Sequence, residues 1–69
     1  MYRIGHQAPS YIGPEIEAFY VEETGMNYAV FTSEADSGYV LAADHEDVGL
    51  VTYYDATEAE IAELQAKGI

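Results

Sequence analysis

The chain has 69 residues, 49% of them apolar, with 13 Asp and Glu against 2 Lys and Arg, a net charge of -11 and no cysteine. A chain this short holds one hydrophobic core, so residues 1–69 are expected to form a single domain. The charge argues against direct binding to nucleic acid or anionic lipid, which would repel it, and the lack of cysteine removes disulfides and thiolate metal sites.

Disordered chains combine high net charge with few aromatic residues. This one has seven Tyr and two Phe, so a folded domain with a thin, aromatic core is expected. A single core below roughly 70–80 residues supplies only about 3–5 kcal/mol, and carboxylate repulsion opposes it. Stability should therefore rise with salt. No apolar run approaches the roughly 18 residues of a membrane span. The opening Met1-Tyr2-Arg3-Ile4-Gly5-His6 lacks the apolar centre of a signal peptide. The expectation is a cytoplasmic protein.

Residues 1–14 are broken by Pro9, Gly13 and Pro14. Within them Tyr2 to Ile4 alternates as a brief opening strand, and Ser10 to Ile12 as a short edge strand. Glu15 to Glu23 is the first full strand, with Ile16, Ala18 and Tyr20 on one face and Glu15, Glu17, Phe19 and Val21 on the other. The apolar phase slips near Phe19, as at a bulge or in a strand covered on both faces at one end. Glu22 to Gly25 is a turn in which Gly25 offers positive φ. Asn27 to Ser33, Tyr39 to Ala43 and Leu50 to Tyr54 are further strands. Between them lie a polar loop with Glu34 and Asp36 and a charged turn, Asp44 to Asp47, closed by Gly49.

The C-terminus reads as a helix. Thr57 is an N-cap with Glu60 at capping-box spacing. Lys67 and Gly68 suit the other end. Ile61, Leu64, Ala62, Ala66 and Ile69 offer a narrow apolar stripe. A helix this short is marginal alone, so the stripe must pack on the sheet. The expected fold class is α+β: a small antiparallel sheet of about four strands with one C-terminal helix packed on it.

Motifs for catalysis are missing. There is no phosphate-cradling glycine loop and no serine in an elbow context, and a chain of this size leaves little room for a pocket of about 300 Å³. The chain is not expected to be an enzyme or to hold a cofactor. His45 stands among Asp44, Glu46 and Asp47, but no nucleophile or second ligand accompanies it. It reads as a solvated turn histidine. Asp44, Glu46, Gly49 and Asp55 fall at the first, third, sixth and twelfth positions of a calcium loop, yet Val48 fails at the fifth and strands flank it, so no metal site is expected.

The acidity itself remains. No Lys or Arg lies between Arg3 and Lys67, whereas a surface that is merely soluble intersperses both signs. Glu15 and Glu17, two apart on one strand face, would be about 6.6 Å apart. Glu22 and Glu23, then Glu34 and Asp36, then Asp44, Glu46 and Asp47 follow at successive turns. Such a row resembles a nucleic-acid backbone, with its one charge per about 3.4 Å of strand. These nine carboxylates are the expected partner-binding residues, together with exposed contact area from Tyr11 and from Tyr54 or Tyr53. The expected partner is a basic nucleic-acid-binding protein or complex, with no membrane contact. Glutamates along an edge strand favour a monomer.

In size, charge and strand-rich plan the chain resembles the small acidic inhibitors of phages and mobile elements, which include DNA-mimic and anti-CRISPR proteins. Glu15, Glu17, Asp44, Glu46 and Asp47 enter this resemblance as acidic positions. It implies an inhibitor, acting in a host cell, that occupies the DNA-binding groove of a CRISPR effector complex or another nucleic-acid enzyme. Two other readings share the composition: an acidic interaction subunit adapted to high salt, and an acidic antitoxin that neutralises a basic toxin.

Overall fold

The computed structural model describes residues 1–36, 38–45 and 49–67. Five strands, β1 (Tyr2–Gly5), β2 (Ile12–Val21), β3 (Met26–Ser33), β4 (Tyr39–His45) and β5 (Leu50–Ala56), precede one helix, α1 (Glu58–Lys67). All pairings are antiparallel, in the order β1-β5-β4-β3-β2. The fold is α+β, as the sequence suggests. The expected four strands are the meander β2 to β5, and the brief opening strand is a fifth, added on β5.

The elements follow local chemistry. Val21 carbonyl accepts from the N–H groups of Thr24 and Gly25, at 3.3 and 2.9 Å. Gly25 has φ 70, so the β2–β3 turn uses the glycine as foreseen. β2 starts earlier than expected, at Ile12, and takes in Pro14. An edge strand is where a proline is tolerated. Two register shifts fall between Ile12 and Glu17. Pairing around Phe19 is regular, so the slip expected there is absent, and the irregularity lies at the start of the strand instead.

Strand alternation sorts the side chains into two faces. One carries Val21, Tyr28, Val30, Leu41, Ala43 and Ala56, which form a core with Ile61 of α1. Phe19 stacks on its cross-strand neighbour Tyr28, with ring centroids 5.5 Å apart. The Tyr28 hydroxyl lies 3.4 Å from that of Thr24, so a buried ring keeps its polar tip at the sheet end. In α1 only Ile61 is buried and Leu64 packs beside it. Ala62 and Ala66 are exposed, so the apolar stripe is narrower than the sequence implied. Gly68 and Ile69 lie outside the described residues.

The opposite face is also covered. Val40 is 0% exposed and Ala42 8%, and both point away from α1. After β1, His6 Nδ1 sits 3.3 Å from the Val51 carbonyl. That oxygen only accepts, so Nδ1 donates. Further on, Glu34 N–H donates to the Tyr11 carbonyl at 2.7 Å. Residues 6–11 therefore run diagonally from β5 to β3 across this second face. The Tyr11 hydroxyl pins the crossing by donating to Asp55 at 2.8 Å.

The capping box forms as read. Thr57 N–H donates to Glu60 Oε1 at 2.9 Å, and Glu60 N–H to Thr57 Oγ1 at 3.3 Å. Thr57→Ala should cost about 1 kcal/mol, read as a lower urea midpoint with an unchanged slope.

Candidate functional site

Every described carboxylate lies at the surface. Asp55 and Glu60 are half-buried and the others are exposed, while Glu46 and Asp47 lie outside the described residues. No described polar or charged residue is buried. The arrangement differs from a single row. Successive turns of a meander alternate between the two ends of a sheet. Glu22 and Glu23 lie at the end where Asp44, paired with Asn27 and Val51, is the last residue but one of β4. Glu34 and Asp36 lie at the other end, about 20 Å away for strands of this length. There Tyr39 pairs with Thr32 and Ala56.

Glu15 and Glu17 do not share a face. The register shift sets Glu15 opposite Phe31 and Glu17 opposite Val30, adjacent residues whose side chains point to opposite sides. Glu17 is turned toward the helix, where its Oε1 accepts from Gln65 Nε2. The tyrosine expectations also change. Tyr11 is half-buried under its bond to Asp55, and Tyr54 packs against the core. The exposed tyrosines are Tyr2 at 72% and Tyr20 at 38%, at the two edges of the sheet.

His45 is the last residue of β4 and half-buried, rather than a solvated turn residue. Asp44 and Asp55 of the calcium-like spacing pair with Val51 and Val40, near opposite ends of one hairpin. The described residues contain no group of His, Cys, Asp and Glu able to hold a metal ion.

The end that holds Glu34 and Asp36 has the more elaborate geometry. Asp36, Gly38, Tyr39, Asp55, Ala56, Thr57 and Glu58 line an open cleft of about 490 Å³, larger than expected for so short a chain. Two of its carboxylates are held in place. Asp36 Oδ1 accepts from Gly38 N–H at 2.7 Å, and Asp55 accepts from Tyr11. The Glu58 carboxylate has no hydrogen bond or ion pair among the described residues. Sequence reasoning assigned Asp36 and Tyr11 to binding but missed Asp55, Glu58 and Tyr39. For Asp55 and Glu58 the only advance signal was position at the β5–α1 junction, since no local pattern brings them beside the β3–β4 loop; Tyr39 directly follows that loop.

Charge gathers here. The bond to Asp55, then partial burial, then the charges of Asp55 and Asp36, hold the Tyr11 phenol above its ordinary pKa. Its neutral form is thus favoured by the fold. That contribution is complete below about pH 10 and is lost as pH rises through the folded value. With so few lysines the alkaline limb belongs to tyrosine. Wild type should lose stability as pH rises above about 10, and Tyr11→Phe should lose less, by urea midpoint at each pH. Glu60 is shifted the other way, by its bond to the N-terminal amine of Met1 and then by the Thr57 N–H.

Comparison with protein-family models, curated proteins and solved structures gave no match. No helix of the described residues is long and apolar enough to cross a membrane.

Proposed function

We propose that this protein is an acidic binding protein that occupies a Lys/Arg-lined surface in place of nucleic acid, and so inhibits a nucleic-acid-binding protein or complex. The observation that carries this reading is the surface position of every described carboxylate, with the two basic side chains left at the chain's ends. A sheet covered on both faces supports it, because a rigid ligand pays little ordering entropy on binding. Field lines from a surface of one sign would steer encounter with a basic groove and raise the on-rate. The resemblance to phage-type inhibitors extends the proposal to a CRISPR effector complex as the target.

The test is a pull-down from cell extract with the tagged protein, eluted along a salt gradient and identified by mass spectrometry. Recovery of a nucleic-acid-binding complex that moderate salt releases and added DNA displaces supports the reading. A partner indifferent to both salt and DNA overturns it, in favour of an acidic interaction subunit. Recovery of a small basic toxin points instead to an antitoxin.

A further inference from the structure

The acidic cleft continues under α1. A second cleft of about 200 Å³ shares Tyr39 and Glu58 with the first and adds Ile16, Val30, Ile61 and Glu17 among its walls. Its floor is apolar, since Val30 and Ile61 are 2% and 5% exposed. Ile16, brought to this side beside Glu17, stands 53% exposed at the lip. Neither Arg3 nor Lys67 lines either cleft.

We propose that this groove, between α1 and the β3–β4 loop, docks an extended arginine-bearing segment of the protein partner. An aliphatic stem lies on Ile16 and Tyr39, and the guanidinium sits between Asp36 and Glu58 at the end of the sheet. The inference rests on the reading of the protein as a binder of basic surfaces, and it says which acidic end makes the decisive contact.

Four comparisons select this occupant. An apolar floor with an acidic rim complements a side chain that is apolar along its stem and cationic at its tip. Arginine fits better than lysine, because its flat, weakly hydrated head stacks on a tyrosine ring and forks onto carboxylates. A bare metal ion fits worse, because the described carboxylates do not converge into a metal-holding group. A second copy of this chain would bring the same net charge, -11, against the rim. Asp36 is already positioned by the Gly38 N–H and keeps further acceptor capacity. Glu58 completes the rim.

The experiment titrates the isotopically labelled full chain with a short capped Arg-Ala repeat peptide and with its Lys-Ala counterpart, followed by amide NMR shifts. Shifts should concentrate at Ile16, Tyr39 and Glu58, and the arginine peptide should bind at least about fivefold more tightly. Glu58→Lys should weaken binding about tenfold or more, and the charge-matched Glu22→Lys at the far end less than about twofold. Ile16→Ser, at an exposed site, should also weaken it with the fold intact. Equal losses from Glu58→Lys and Glu22→Lys, or shifts spread evenly to Glu22, Glu23 and Asp44, would overturn the groove while leaving the acidic-binder reading in place. Failure of both peptides to bind at low salt would overturn both.

Discussion

Leu41→Ala is expected to leave the chain largely unfolded in dilute buffer at 25 °C. Leu41 is 0% exposed on the central strand, flanked by Val30 and Tyr54. Truncating a buried leucine costs about 2–5 kcal/mol. A domain of this size holds only about 3–5 kcal/mol in total, so the substitution removes most or all of it. Leu41 is the largest of the side chains less than 2% exposed; Val21, Val30 and Val40 are smaller, and the alanines at positions 42, 43 and 56 have little area to offer. Amide NMR dispersion should collapse toward random-coil values. Molar sodium chloride should restore part of it by screening the carboxylates. A variant that keeps native dispersion in low salt, with a urea midpoint near that of wild type, would show that the core is not centred on Leu41.

The second large effect concerns competition with DNA for the partner. Nucleic acid binds basic grooves by releasing condensed counterions, so a site making 6–10 phosphate contacts loses roughly 10³–10⁵ in affinity between 50 and 200 mM salt. This protein's described carboxylates are spread over the strands, turns and helix of a small fold and condense far fewer counterions than a duplex does. Its affinity should also fall with salt, through ordinary screening, but much less steeply. Raising salt over that range should therefore lower the concentration of this protein needed to displace a DNA duplex, by about tenfold or more. Fluorescence competition at several ionic strengths measures this directly. A required concentration that rises with salt, in parallel with the duplex's own Kd, would mean that the carboxylates do not replace phosphates at the groove.

The two effects meet at α1. Its packing through Ile61 completes the core, and its first turn carries Glu58 to the cleft beside Asp36 and Asp55. Loss of the Thr57 cap should therefore weaken peptide docking as well as lower stability. The crossing segment plays the matching part on the other face, where Tyr11 holds Asp55 in position.

Much of this protein is determined within short stretches of its sequence. The alternation of Tyr28, Val30 and Thr32 makes a strand wherever it lies. Gly25 permits the turn that follows β2, and Thr57 with Glu60 starts the helix through bonds that span three residues. The charge is likewise a property of composition, present before any fold is known. Tertiary structure decided the rest, because periodicity tells which face of an element is buried but not what buries it. Tyr2 finds Asp55 in the β1–β5 pairing, and nothing near either residue encodes that match. The register shift in β2 depends on pairing with β3, and it sends Glu15 and Glu17 to opposite faces. Meander geometry divides the acidic turns between two ends, and only the folded chain brings Asp36, Asp55, Glu58 and Tyr39 to one cleft. Contacts of long sequence separation are held by the core as a whole, so the groove they form is a property of the packed sheet and helix rather than of any one segment.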